Sequence, residues 1–366
     1  MTRAFSIYLD VVRFAAACLV YLYHSNQRWL IEEKLPFSSY GHSAVVVFFV
    51  LSGYVIAYVA DTKERNWVSY SASRIARVFS VVVPAIVLCL AWDWIGRAQA
   101  LGNYDYPYDQ FLVRIAASLL MLNEIWGVSI TSFSNVPYWS ITFEFWYYLL
   151  FALVTFVPGR KGWWLATVVL VLLGPKIALL APLWCAGVVL YRWRALQSMS
   201  MAMGWALFVV STVAIVWAHG SGLLDGMTEW LKNAVGTGLH TQMTFAKFFV
   251  GDYLLGILVF INFVGMRSAA PSLEPWVLRL EAPIRWMAGY TFTLYLLHQP
   301  LFLFWGSVLK GDPKTPWAWW AVTALSALSI VAVGYLTENK RGHLKLWVQR
   351  ALAWLAAKHP AGVVNA

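Results

Sequence analysis

Charged side chains are scarce in this chain of 366 residues. Asp, Glu, Lys and Arg make up 12% of it, and 60% of it is hydrophobic. Soluble globular proteins average about 25% charged residues, because their surfaces face water. The composition therefore excludes an ordinary soluble domain and predicts one large membrane domain, with no room for a second globular domain.

Cysteine and the motifs of soluble enzymes are also scarce or missing. The three cysteines have no CxxC partner, which argues against a disulfide framework and a zinc site. The seven histidines show no metal-ligand spacing, so we expect no metal. The sequence contains no P-loop, GxSxG, HExxH or GxGxxG motif. Any site must be built from residues of membrane helices.

Basic residues outnumber acidic ones, giving a formal net charge of +10. In a soluble protein this excess could indicate nucleic-acid binding. No basic stretch is interleaved with exposed aromatics here, so we expect no nucleic-acid partner. The cations instead fit loops that fix membrane orientation and meet anionic lipid.

Apolar runs predict an all-α, polytopic membrane protein with about ten transmembrane helices. The predicted spans are about 5–24, 42–60, 78–95, 138–157, 163–174, 177–190, 201–218, 245–266, 286–309 and 317–336. The segment 111–126 is short and carries Arg114 and Glu124, so we predict a re-entrant or interfacial helix. We assign 1–337 to the transmembrane domain and 338–366 to a basic cytoplasmic tail.

The distribution of Lys and Arg predicts the orientation. With ten spans and the N-terminus inside, most of these residues lie in cytoplasmic segments, as the positive-inside rule requires. Counting 111–126 as an eleventh crossing would move Arg160 and Lys161 to the outside. We therefore predict that both termini are cytoplasmic.

The first span contains two residues that a bilayer rarely admits, Arg13 and His24. An ionisable residue in a span is a functional candidate by default. The two are eleven residues apart, so they share one helix face about 16 Å apart along the axis. His24, near the outer end, has the residue type of a general base for a hydroxyl. The alternative is an interfacial histidine bonded to a backbone carbonyl.

A second buried charge, Glu144, lies on a polar stripe with Ser140 and Tyr147 in the fourth span. An isolated carboxylate is too costly inside a membrane, so it needs a partner. It could orient His24 or pair with Arg13, or it could be only a structural ion pair.

Two further features are candidates for donor binding. Arg74 and Arg77 are i, i+3 neighbours at the cytoplasmic entrance of the third span. Guanidinium groups bind phosphate bidentately, although ordinary positive-inside bias also explains them. His298, in the middle of the ninth span, is either part of a channel wall or a core histidine.

On the outer side, the aromatic loop LGNYDYPYDQ (101–110) could stack on sugar rings or anchor the interface.

Four motifs in order resemble the acyltransferase-3 family of integral membrane acyltransferases. They are the Arg13–His24 spacing, GHSAVVVFFVLSGYVI (41–56), VPYWSITFEFWYY (136–148) and YTFTLYLLHQPL (290–301). The pair Arg74 and Arg77 fits the family's arginine-rich third-span entrance. Two departures stand out: Thr291 and Phe292 replace a small polar pair, and no proline follows Glu338 in the terminal motif.

The resemblance implies an acyltransferase of the stand-alone type, without an appended esterase-like domain. It implies acyl-CoA, with acetyl-CoA preferred, as the cytoplasmic donor. It implies a hydroxyl of an extracytoplasmic polysaccharide or other glycan as acceptor, and a bacterial inner membrane as location. In this interpretation His24, Glu144 and Arg13 act in catalysis, and Arg74, Arg77, Arg13 and His298 hold the donor.

Other function classes remain open from the sequence. Buried charges also mark transport pathways, so a transporter or flippase for a lipid-linked saccharide is the main alternative. The sequence shows no internal repeat and no paired broken helices, which argues against that alternative. A lipid-binding scaffold is a third possibility. The acyl group, the acceptor and an acyl-histidine intermediate also stay open.

Overall fold

The computed structural model describes residues 1–197 and 199–358, and within these ranges it contains helices but no β-strand. This confirms the all-α class. The α-helices are α1 (Arg3–Ser25), α2 (Gly41–Thr62), α3 (Trp67–Ala100), α4 (Phe111–Leu119), α5 (Tyr138–Phe156), α6 (Gly159–Leu173), α7 (Pro175–Arg192), α8 (Met201–Gly220), α9 (Leu223–Val235), α10 (Thr237–Gln242), α11 (Phe249–Ala269), α12 (Glu274–Val277), α13 (Glu281–Ala288), α14 (Thr291–Leu309), α15 (Pro316–Leu336) and α16 (Arg341–Lys358). The last part of the predicted tail, 359–366, lies outside the described residues.

Nine helical segments of the described ranges are long and apolar enough to cross a membrane. The predicted span that is not among these nine is the fifth, 163–174, which corresponds to α6, a helix of 15 residues. At 1.5 Å per residue it is about 22 Å long, shorter than the roughly 30 Å hydrocarbon core. Helix α4 has only 9 residues, so it is too short to cross, as we predicted for 111–126.

The third span is longer than its apolar run. Helix α3 begins at Trp67 because the Asn66 side chain accepts the Ser69 backbone N–H at 2.9 Å and caps the helix. The sequence placed the helix start at residue 78. Arg74 and Arg77 therefore lie two to three turns inside a helix rather than at its entrance.

The ninth span is shorter than predicted at its start. We expected it to begin at Trp286, but that residue belongs to α13, which ends at Ala288. Helix α14 then begins at Thr291. The break lets the first turn of α14 expose backbone N–H groups, which a side chain from elsewhere in the chain can cap.

The helices form two compact units. The first consists of 1–23, 37–59 and 174–291, and the second of 24–36, 60–173 and the residues from 292 onward. Arg13 belongs to the first unit. Every other predicted site residue, from His24 to His298, belongs to the second.

In the first unit, the second-span motif brings two backbones into contact. A Cβ atom added at Gly53 would collide with the carbonyl oxygen of Trp184, and one added at Gly187 with that of Val50. The neighbouring Ser52 hydroxyl accepts the Trp184 indole N–H at 3.2 Å. The Ser-Gly pair of this motif is therefore explained by close packing of α2 against α7, as small residues permit in membranes.

In the second unit, α3 packs against α5 and α16. Its largest buried side chains include Tyr70, Tyr138 and Phe143. The Tyr70 hydroxyl donates to the Tyr148 carbonyl oxygen at 3.1 Å and joins α3 to α5. This aromatic core holds the helices that carry the candidate polar residues.

Orientation is a prediction that reporter fusions test. Alkaline phosphatase inserted after Asp312 should be active, because that loop is predicted to lie outside. The same reporter inserted after Lys161 should be inactive. Expression levels measured by immunoblot are the control, and the reverse activity pattern would overturn the orientation.

Candidate functional site

Two histidines from distant parts of the sequence face each other in the second unit. The ring centroids of His24 and His298 are 5.2 Å apart, and the rings are tilted by 58°. His298 is completely buried, whereas His24 is partly exposed. The sequence singled out both residues but assigned them separate roles, so their pairing is new information from the fold.

Aromatic packing fixes the end of α1 that carries His24. The next residue, Ser25, accepts the indole N–H of Trp319 on α15 at 3.1 Å. Beyond it, the Trp29 ring lies so close to Gly306 on α14 that a Cβ atom there would come within 2.5 Å of it. Only glycine fits at position 306. These contacts place His24 against the helix that carries its partner.

Backbone carbonyls fix the tautomer of His298. Its Nδ1 lies 2.7 Å from the Tyr295 carbonyl oxygen and 3.2 Å from that of Leu294. A carbonyl oxygen can only accept, so Nδ1 carries the hydrogen. In the neutral ring, Nε2 then holds the lone pair and is the nitrogen able to take a proton.

The proline of the His-Gln-Pro segment explains a neighbouring contact. Pro300 has no N–H, so the carbonyl oxygen of Leu296 loses its usual helical partner. Asn135 fills this gap, because its Nδ2 donates to that oxygen at 2.8 Å. The loop before α5 is thereby attached to α14 next to His298.

Two more hydrogen bonds connect polar groups of α5 and α14. The hydroxyl groups of Ser140 and Tyr295 are 2.6 Å apart. The Tyr148 hydroxyl donates to Glu144 Oε1 at 2.5 Å, within α5. The described hydrogen bond of Glu144 is to Tyr148, and its expected action on His24 or Arg13 stays a prediction.

Arg74 forms an ion pair that the sequence did not predict. Its Nη2 lies 2.9 Å from a Glu64 carboxylate oxygen, and its guanidinium stacks near the rings of Tyr70 and Tyr148. Lys345 of α16 lies 3.9 Å from the same Glu64. The Glu64 carboxylate is thus the counterion of Arg74.

Arg77 lies near Tyr148 of α5 and near the start of α14. Its guanidinium is 5.8 Å from the Phe292 ring centroid and within hydrogen-bonding reach of the Tyr148 hydroxyl. The carboxylates of Glu144 and Glu338 act on it electrostatically. Arg77 therefore connects α3, α5 and the start of α14.

Arg13, in the first unit, is balanced by a carboxylate that the sequence analysis passed over. Asp10 Oδ1 lies 3.2 Å from Arg13, and its Oδ2 lies 2.5 Å from Arg285. The i, i+3 spacing of Asp10 and Arg13 was a visible signal. One carboxylate therefore holds two guanidinium groups in this unit.

Glu338 caps the start of α14. It is 3% exposed and accepts both the backbone N–H of Thr293 at 3.0 Å and the Thr293 hydroxyl at 2.8 Å. Arg341 lies 3.7 Å away, and Arg77 acts on the carboxylate electrostatically. The missing proline of the terminal motif does not prevent this contact.

Removing this carboxylate should destabilise the second unit. Glu338→Ala leaves the two Thr293 donors without their acceptor and removes one of the two carboxylates that act on Arg77, so we expect a loss of about 3–5 kcal/mol in the free energy of unfolding. Glu338→Gln keeps an acceptor and should lose less. Denaturant unfolding in detergent measures both, with Glu229→Ala, at an exposed ion pair, as the control. Equal stability of Glu338→Ala and the parent chain would contradict the capping role.

The described residues contain no group of three or more His, Cys, Asp or Glu side chains arranged to hold a metal ion. The polar groups of the second unit are instead suited to proton transfer and anion binding: a histidine pair, paired hydroxyls and partly buried guanidinium groups.

Three curated relatives share part of this chain. The chain is 26% identical over 170 residues to acyltransferase MdmB of Streptomyces mycarofaciens, covering 43% of this chain and 42% of that protein. It is 28% identical over 152 residues to an O-acetyl transferase of Shigella phage Sf6, covering 38% and 43%. It is 23% identical over 366 residues to the peptidoglycan O-acetyltransferase OatA of Listeria monocytogenes, covering 88% and 53%.

The chain thus spans about half the length of the curated relatives it matches. No solved structure matches it. The sequence profile of an acyltransferase domain matches residues 6–338, which includes all four motifs. The resemblance is confirmed, and the chain belongs to the acyltransferase-3 family of enzymes.

Proposed function

We propose that this membrane enzyme transfers an acetyl group from cytoplasmic acetyl-CoA to a hydroxyl of an extracytoplasmic glycan. The observation that carries the proposal is the pair His24 and His298, whose ring centroids lie 5.2 Å apart. Family membership and the relatives named as O-acetyltransferases support the reaction type. We place the enzyme in a bacterial cell membrane.

In the proposed reaction, His24 takes the proton of the acceptor hydroxyl as the hydroxyl oxygen attacks the thioester carbonyl. A C–O bond forms, the C–S bond breaks, and the proton passes from His24 to the departing CoA sulfur. His298 lines the thioester path, where its fixed Nδ1–H tautomer keeps the Nε2 lone pair towards the reacting groups. No acyl-enzyme is needed.

Arg77 is the better placed of the two cations for donor binding. Arg74 already has Glu64 as its counterion, whereas Arg77 lies among Tyr148, Glu144 and the start of α14. We propose that Arg77 contacts the donor directly and that Arg74 supports the phosphate end. Glu144 then acts on the donor side, by fixing Tyr148 and Arg77, rather than on His24.

Arg13 retains its proposed place along the donor path. It lies eleven residues before His24 on the same helix, and Asp10 holds its charge. An amide of the pantetheine arm, or the oxyanion formed during attack, would be a suitable ligand for a guanidinium at this depth.

The glycan acceptor is inferred from the relatives. The Listeria protein is named as a peptidoglycan O-acetyltransferase, and a comparable hydroxyl-bearing glycan would suit a base at the predicted outer end of α1. Membrane lipid surrounds the enzyme on this proposal.

Replacement of His24 should abolish transfer. In proteoliposomes with radiolabelled acetyl-CoA, we would screen soluble peptidoglycan fragments and other oligosaccharides as acceptors. His24→Ala should lower kcat by about 10²–10⁴-fold, because a general base contributes that much. His343→Ala, at an exposed histidine of α16, is the control and should keep full activity.

Two results would reject this function. Full activity of His24→Ala would remove the base from the mechanism. Transport of a lipid-linked saccharide by the parent chain, with no CoA release and no acetylated product, would favour the transporter instead.

Replacement of Arg77 should weaken donor binding. Arg77→Gln removes a charged hydrogen-bond donor, so the KM for acetyl-CoA should rise about 10- to 100-fold. The KM for the oligosaccharide should stay within about twofold of the parent value, because the substitution weakens binding of the donor and not of the acceptor. Arg350→Ala, at an exposed position of α16, is the matched control. An unchanged donor KM would exclude Arg77 from the donor site.

A further inference from the structure

Two carboxamide groups next to His298 have buried oxygens that the fold leaves without partners. Asn135 and Gln299 are each 1% exposed. Asn135 Oδ1 and Gln299 Oε1 have no hydrogen-bond partner among the described residues. Leaving a buried polar atom unsatisfied is unfavourable by about 1–3 kcal/mol, so such a pair calls for a ligand.

Both carboxamides lie near the same stretch of α14, although only Gln299 belongs to that helix. The Asn135 amide is held in place by its bond to the Leu296 carbonyl oxygen. Leu296 and Gln299 are three residues apart and therefore lie on one face of the helix. The amide of Asn135 is thus fixed beside the turn that carries Gln299, immediately after His298.

Gln299 also connects this turn to the aromatic loop. The hydroxyl of Tyr106 lies within hydrogen-bonding reach of the Gln299 side chain. Tyr106 is partly exposed and belongs to the loop that the sequence predicts on the outer side. Burial raises the pKa of Tyr106, so its phenol stays protonated. Tyr106 therefore links this partly exposed loop to the buried side chain of Gln299.

We infer that Asn135 and Gln299 form the subsite for the acceptor, where their oxygens accept hydrogen bonds from two hydroxyl groups of a sugar ring. This inference rests on the proposed acetyl transfer. A sugar fits Gln299 better than the donor does, because Arg77, Ser140 and Glu338 all contact α14 on the N-terminal side of His298. A sugar diol also supplies the two O–H donors that the two oxygens require.

The test separates acceptor binding from donor chemistry. Gln299→Met keeps a similar side-chain volume and removes both the oxygen acceptor and the NH₂ donor of the carboxamide. With an oligosaccharide that the parent chain acetylates, its acceptor KM should rise about tenfold, the effect of one lost hydrogen bond in a buried site. Its acetyl-CoA KM and its acceptor-independent hydrolysis of acetyl-CoA should not change. Gln242→Met, the same exchange at an exposed glutamine of α10, should change neither KM.

A second pair of variants tests whether Gln299 only anchors the loop. Tyr106→Phe breaks the contact with Gln299 but leaves its carboxamide, so the acceptor KM should rise less than in Gln299→Met. Gln299→Asn withdraws the carboxamide by one methylene and should raise the acceptor KM even if Gln299→Met fails to fold.

The outcomes are distinguishable from failure of the proposed function. If the parent chain acetylates none of the oligosaccharides, the proposed function fails and the subsite fails with it. If the parent chain is active but the folded Gln299 variants keep its acceptor KM, only the subsite is overturned. Equal increases of the acceptor KM in Tyr106→Phe and Gln299→Met would show that Gln299 only holds the loop in place. That result would also overturn the subsite.

Discussion

A polar group inside an apolar helix bundle needs a partner from the chain, because no water replaces a missing hydrogen bond within the hydrocarbon layer. This constraint shapes the second unit around α14. Pro300 removes one helical N–H, and Asn135 comes in to satisfy the exposed Leu296 carbonyl oxygen. The break before Thr291 exposes the first turn of α14, and Glu338 satisfies Thr293. The residues that form these hydrogen bonds belong to segments that are distant from α14 in the sequence.

These satisfied groups divide α14 into two halves around His298. On the N-terminal side lie Glu338, Arg77 and the Ser140–Tyr295 hydroxyl pair, a charged and polar set. On the C-terminal side lies Gln299, next to Tyr106 of the aromatic loop 101–110. The histidine is fixed between them by backbone carbonyls, so its position and tautomer depend on the helix itself rather than on a mobile side chain.

The sequence predicted much of this because membrane residues carry strong local signals. An Arg or His within an apolar run is conspicuous, and both Arg13 and His24 were found in this way. Helix ends were predicted less well: a side-chain cap at Asn66 extended α3 beyond its apolar run. Asp10 lies in the same apolar run and was missed, although its i, i+3 spacing to Arg13 was visible.

The sequence by itself determined the helical membrane class, the family motifs and the list of ionisable residues, since hydropathy and spacing are local properties. Only the tertiary structure determined which of these residues contact each other. His24 and His298 come together because Trp29 and Trp319 dock the end of α1 onto α14 and α15, a contact that no spacing encodes. It also decided that Glu144 bonds Tyr148, that Glu64 neutralises Arg74, and that Asn135 and Gln299 keep unsatisfied oxygens. Pairing across long sequence separations depends on packing, and packing is fixed only when the helices assemble.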